Sequence, residues 1–293
     1  MRPGWQHPGR FAFRRPLLRC QPQPPGQPMA ATRPFLLLLA ALLAPAAARA
    51  EPVAIPAGDI TLRGELHRPA PGLPPATGVV ALHGCGGPYA ARDRQWAATL
   101  TAAGHAVLFP DSFGSRGLGS QCAVRARPAG LAAARRRDAL AAAAWLAAQP
   151  GIPPGGVVLM GWSNGAGTVL RTGRAAPDLP PGLLRGLVAF YPGCQAALAD
   201  PGWRPAAPLL LLIGTADDWT PFAPCQALAA RTGFALQAYA GAYHDFDAPG
   251  GVRIRQGMAF SQNADGTVHA GGDPVARADA LVRVPRFIAG LGR

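Results

Sequence analysis

The chain has 293 residues, 49% of them hydrophobic and 15% charged, enough for one large domain with a substantial core. Its formal charge of +13 is unevenly placed: Arg2, Arg10, Arg14, Arg15 and Arg19 stand among the first 28 residues without an acid, and Arg33 and Arg49 follow. The remaining 21 basic residues face all 15 acids, lysine is absent, and the arginines do not interleave with aromatics, which argues against a nucleic-acid partner.

Residues 1–28, rich in Pro, Gln and Arg, read as an extension that is disordered or lies upstream of the true start. Residues 29–50 read as a signal peptide. Met29 would be the initiator, Arg33 the positive n-region, and Phe35 to Leu43 the apolar stretch; Ala48-Arg49-Ala50 offers small residues where a signal peptidase inspects them. The apolar run is too short to span a bilayer comfortably, so no stable membrane span is expected. Cleavage after Ala50 starts the mature protein at Glu51, in a secreted or periplasmic location, and residues 51–293 form the domain. Cys20 lacks the preceding apolar segment that a lipid-attachment site needs.

From there strands and helices alternate. Strands are expected over Thr61 to His67 and Val79 to His83, separated by a Pro-rich turn from Ala70 to Ala76. A helix over Arg92 to Ala103 ends at Gly104, and the strand Ala106 to Pro110 leads into a glycine-rich loop from Ser112 to Ser120. The Ala-rich helix Ala129 to Gln149 stops at Pro150-Gly151, with Arg135-Arg136-Arg137 on a solvated face. Val157 to Met160 is a short apolar strand, and a helix opens at Ala166. Strands at Gly186–Phe190 and Leu209–Gly214, a helix from Phe222 to Arg231, a strand from Ala235 to Tyr239 and a last helix from Pro274 to Leu291 follow. The segment Gly250 to Gly272 interrupts the alternation and is expected to fold as a β-hairpin about Asn263-Ala264-Asp265-Gly266. Alternation of this kind predicts a mostly parallel central sheet with helices on both faces.

The chemistry centres on Gly161-Trp162-Ser163-Asn164-Gly165. A serine between two glycines at a strand-to-helix turn is the nucleophile elbow of the α/β-hydrolase fold, where the turn is strained and a side chain at either glycine would collide with a neighbouring element. Serine needs a base, and the base needs an orienting acid, in the chain order Ser, Asp or Glu, His. His244 follows the last sheet strand, where the base belongs; His269 lies in the polar insertion and is expected to face solvent. Asp217 is the candidate acid at the end of the Leu209–Gly214 strand, and Asp218 a turn or helix-capping residue. Asp245 and Asp247 are too close in sequence to the base to orient it readily, and Asp111 organises its own loop.

The developing oxyanion needs two donors: the Asn164 N–H at the helix start and an N–H from His83-Gly84-Cys85-Gly86-Gly87, for which Cys85 is the choice. His83 is expected to brace that loop. Arg116 stands on the same rim and either binds a substrate carboxylate or braces its glycine-rich loop. Trp162, Tyr191, Trp219 and Phe222 either shape a substrate pocket or are ordinary core and rim aromatics. Outside the cytoplasm, Cys85, Cys122, Cys194 and Cys225 can pair in three ways; Cys85–Cys122 and Cys194–Cys225 are favoured because each joins loops after neighbouring strands. No C-x-x-C spacing occurs, so no metal is implied.

Taken with Asp111-Ser112-Phe113-Gly114-Ser115-Arg116-Gly117, Phe190-Tyr191-Pro192-Gly193, Gly214-Thr215-Ala216-Asp217-Asp218-Trp219-Thr220-Pro221 and Gly241-Ala242-Tyr243-His244-Asp245-Phe246, these motifs resemble the dienelactone hydrolase family of α/β-hydrolases from about Ile60 to Leu291. The resemblance implies Ser163 as nucleophile, Asp217 as acid and His244 as base, with no cofactor and a small ester or lactone as partner. The namesake enzyme carries a cysteine nucleophile where this chain has Ser163, so ordinary carboxylic esters or lactones are the expected substrates. A peptidase or amidase, or a non-catalytic binding protein on the same scaffold, are the alternatives; nothing in the pattern sets the oligomeric state.

Overall fold

The computed structural model describes residues 50–70 and 77–292. The extension, nearly all of the signal segment and most of the Pro-rich turn lie outside the described residues.

Eight strands form one sheet: β1 (Ala50–Ala57), β2 (Ile60–His67), β3 (Gly78–Leu82), β4 (Ala106–Asp111), β5 (Val157–Trp162), β6 (Leu184–Phe190), β7 (Leu209–Gly214) and β8 (Ala235–Tyr239). Their spatial order is β1-β2-β4-β3-β5-β6-β7-β8. The first two strands run antiparallel to each other, β2 runs antiparallel to β4, and the other six are mutually parallel. The central strands β3, β5 and β7 are buried along their whole length, as the continuous apolar runs of a sheet covered on both sides require. Helices α1 (Ala90–Ala102) and α6 (Pro274–Gly290) pack together, as do α2 (Leu131–Ala147) and α3 (Asn164–Thr172), and these two pairs cover the two faces. The architecture is the α/β-hydrolase fold.

Strand β1 is absent from the sequence expectation. Its two prolines, Pro52 and Pro56, obscure the pattern yet are tolerated because β1 is an edge strand, and Gly58, at φ 74°, makes the two-residue turn into β2. Two short helical pieces also go beyond it: α4 (Gln195–Ala199) and a 3-10 turn at Gly114–Arg116 inside the glycine-rich loop. Helix α5 (Phe222–Thr232) and the hairpin of β9 (Arg253–Arg255) with β10 (Val268–Ala270) lie where expected.

Strand order sets the position of the site. The chain steps from β3 to β4 on one side, then crosses back from β4 past β3 to β5 on the other, so the ends of β3 and β5 adjoin at a switch point where a crevice opens. Leu82 pairs in register with Gly161, which brings the loop after β3 beside the turn after β5. The loops after β6, β7 and β8 follow in order along the same rim.

Two disulfides staple that rim, Cys85–Cys122 and Cys194–Cys225, the expected pairings. The first joins the loops after β3 and β4, and the second joins the start of α4 to α5.

Candidate active site

Ser163 stands at φ 52° and ψ −114°, a region that an L-residue enters only under strain, between the end of β5 and the first turn of α3. The flanking glycines make the turn possible. A Cβ on Gly161 would lie 2.7 Å from the Gly165 carbonyl oxygen, and a Cβ on Gly165 would lie 2.1 Å from the Leu82 carbonyl oxygen. Tyr191 (φ 41°) and Asp245 (φ 59°) are also left-handed. Of the four non-glycine residues with positive φ among the described residues, three thus stand in the loops of this rim, where each costs about 1–3 kcal/mol.

His244 is buried, and its Nδ1 lies 2.8 Å from Oδ2 of the buried Asp217. Asp217 Oδ1 accepts hydrogen bonds from the Trp219 and Thr220 N–H groups, and its Oδ2 accepts one from the Thr220 hydroxyl. Those bonds hold the carboxylate in place and aim it at the imidazole. Burial lowers the His244 pKa, but the Asp217 charge and hydrogen bond more than offset it and hold the imidazole above the ordinary histidine range. The other ring nitrogen, Nε2, is buried and has no hydrogen-bond partner among the described residues. Asp217 therefore fixes the Nδ1–H tautomer and leaves Nε2 with a free lone pair.

Ser163 and His244 line one cavity of 190 Å³ together with the Gly84–Tyr89 loop, Arg92, Cys122, Trp219, Asp245 and Arg255. Cys85 belongs to that loop, and its N–H has no acceptor among the described residues. The Asn164 N–H begins α3 and is equally without one. His83 braces the loop from below: the Ser112 N–H donates to its Nε2 at 3.2 Å, and its Nδ1–H donates to the Gly84 carbonyl at 2.8 Å. Burial, with the Arg135 charge beside it, lowers the His83 pKa to about 3, so the ring is neutral.

The model of the dienelactone hydrolase family matches residues 62–285, well over half of the chain. The chain belongs to the dienelactone hydrolase family. As a member it is a hydrolase acting on ester bonds. Among solved structures, a dienelactone hydrolase from Anabaena variabilis superposes with a TM-score of 0.60 at 22% identity, over 84% of this chain and 99% of that one. A dienelactone hydrolase-like promiscuous phosphotriesterase from metagenomic libraries gives 0.62 at 23% identity, over 83% and 98%. The propionate-bound esterase 2 of Thermogutta terrifontis gives 0.57 at 18% identity, over 83% and 94%. At these identities the likeness speaks for the fold. No curated protein matches the chain.

For Arg116 and four rim aromatics the sequence left two readings open, substrate contact or a structural place. Arg116 is outside the cavity: it forks onto Asp138 at 2.6 and 2.8 Å and donates to the Ser112 carbonyl, so it braces its loop. Trp162 and Tyr191 are fully buried and do not line the cavity. Phe222 packs against the core, and only Trp219 of the four aromatics lines the cavity. Asp111 accepts from the Gly114 N–H at 2.8 Å, the loop-organising role expected of it.

Asp218 neither caps a helix nor is free. It accepts from the His269 N–H and ring Nδ1 and from the Asn263 side chain, anchoring the β9–β10 insertion. His269 keeps part of its side chain in solvent, as expected of it, but is also paired with Asp218 and stacked on Tyr243. Arg135 is buried, not solvated. Asp247, passed over as a neighbour of the base, is a buried hub accepting from Tyr191 OH at 2.6 Å and from the indole N–H groups of Trp96 and Trp162 at 2.7 and 2.9 Å. It ties the residue before Ser163, and the tyrosine ring 4.5 Å from His244, to one carboxylate. Its only sequence signal is a carboxylate flanked by apolar residues.

Proposed function

We propose that the protein is a serine esterase working through an acyl-enzyme. The Ser163 hydroxyl attacks the ester carbonyl, His244 Nε2 takes its proton, and the collapsing tetrahedral intermediate expels the alcohol, which His244 protonates. A water then deprotonated by His244 attacks the acyl carbonyl and releases the acid. Asp217 holds the tautomer and stabilises the imidazolium, and the Cys85 and Asn164 N–H groups receive the oxyanion. The observation that carries this reading is the single cavity shared by Ser163 and an Asp217-bound His244 whose Nε2 is unpartnered.

The cavity of 190 Å³ falls below the roughly 300–1,000 Å³ of sites for drug-sized ligands, which favours short acyl groups. We also assign residues 29–50 to a signal peptide; the two disulfides fit an oxidising compartment. Ser163→Ala tests the assignment with p-nitrophenyl acetate and butyrate. Turnover is expected to fall by about 10³-fold or more with the fold retained. Unchanged turnover by a folded variant overturns the reading.

A further inference from the structure

Arg135, on α2, is 2% exposed, yet among the described residues no carboxylate hydrogen-bonds it: the nearby Asp138 is taken by Arg116. Its Nη2 donates to the His83 carbonyl at 2.7 Å, its Nη1 donates to the Asn164 side-chain oxygen, and its guanidinium lies over the Phe113 ring at 4.8 Å. Burial outweighs the Asp138 charge and, with Arg127, Arg171 and Arg116 nearby, lowers its pKa to about 9. Burying a cation without a bonded carboxylate costs several kcal/mol, which two neutral acceptors and a ring face offset only in part. Fold stability thus gives little account of this arginine.

Its two acceptors give a better one. His83 precedes the Gly84–Cys85 peptide and Asn164 follows Ser163, so Arg135 bridges the two segments that carry the candidate oxyanion donors. Those segments abut, since Gly165 has room for no Cβ against the Leu82 and His83 carbonyls. The neutral His83 ring donates to the Gly84 carbonyl, whose peptide unit also carries the Cys85 N–H; that hydrogen bond polarises the N–H towards the cavity.

We propose that Arg135 is a positioning residue for ester hydrolysis, fixing the Cys85 and Asn164 N–H groups at the separation the oxyanion requires. The inference rests on the acyl-enzyme reading above. Arg135 touches no substrate; it acts through His83 and Asn164.

The test is a double-mutant cycle with p-nitrophenyl butyrate: R135M, N164A, both together, with R135K and the surface variant R136M beside them. N164A removes the side-chain acceptor and keeps the backbone donor. R135M is expected to lower kcat about 10- to 100-fold with KM within about threefold. R135K, which keeps the charge but loses the fork, should fall between wild type and R135M. The double variant should lose little more than R135M alone, because the two side chains act as a unit. The proposal is overturned if R135M keeps kcat within about twofold of wild type, if the R135M and N164A losses multiply in full, or if R136M loses as much. Should R135M not fold, R135K decides: wild-type kcat overturns the proposal, and a lowered kcat at preserved KM supports it. S163A in the same assay separates the two readings. Persistent turnover there defeats the acyl-enzyme, whereas a dead S163A beside a fully active R135M defeats only the role of Arg135.

Discussion

Two adjacent aspartates each hold a histidine. Asp217 Oδ2 lies 2.8 Å from Nδ1 of His244, and Asp218 Oδ2 lies 2.8 Å from Nδ1 of His269. By contact geometry alone the pairs are indistinguishable. Their surroundings separate them. His244 is buried, has no partner for Nε2 among the described residues and shares a cavity with Ser163. His269 has a side chain 35% exposed, stacks on Tyr243, and pins the β9–β10 insertion to the loop after β7. An Asp–His hydrogen bond is therefore no signature of catalysis by itself; burial, a free second nitrogen and a nucleophile on the same cavity make the difference.

The largest expected effect breaks the first pair and leaves the second. His244→Ala should reduce kcat by about 10³-fold or more, while His269→Ala should stay within about threefold of wild type under identical assay conditions. Next comes the acid. Asp217→Asn should cost about 10²- to 10⁴-fold, since an amide no longer stabilises the imidazolium or enforces the tautomer, and Asp218→Asn should cost little activity. Equal losses from the two aspartate variants would erase the distinction.

The pH dependence sharpens it further. The base works only when neutral, and Asp217 raises the His244 pKa, so kcat/KM should fall as pH drops through a midpoint above the ordinary histidine value of about 6.5. Asp217→Asn removes the two larger raising influences and leaves burial, which lowers the pKa, with the smaller opposed charges of Asp245 and Arg255. The midpoint should therefore move to lower pH in whatever activity remains. A rate–pH profile of both proteins reads the sign directly. The smallest effect is on stability: a partly exposed pair contributes about 0–1 kcal/mol, so His269→Ala should lower Tm by at most about 4 °C in a thermal melt.

The parts legible in the sequence were those where local chemistry allows few choices. Gly161 and Gly165 flank Ser163 because the turn leaves no room for a Cβ, and that constraint is visible as a motif. The parallel strands announce themselves as apolar runs such as Leu209–Gly214, and Cys85–Cys122 and Cys194–Cys225 follow from neighbouring strand ends. What stayed hidden depends on contacts distant in sequence. Nothing around Arg135 marks it as buried, because an Arg-Arg-Arg run on an Ala-rich helix looks like a solvated face; its acceptors lie 52 and 29 residues away. Asp247 collects its donors from Trp96, Trp162 and Tyr191, brought together only by the packed sheet. Asp218 reads as a turn residue until the insertion folds back onto it.

The most direct test of the Ser163–His244–Asp217 unit is to treat the folded protein with a fluorophosphonate and map the adduct by peptide mass spectrometry. One stoichiometric adduct on Ser163 is predicted, abolished or strongly slowed in His244→Ala and retained in His269→Ala. An adduct on another residue, or labelling of Ser163 at the same rate without His244, would contradict it.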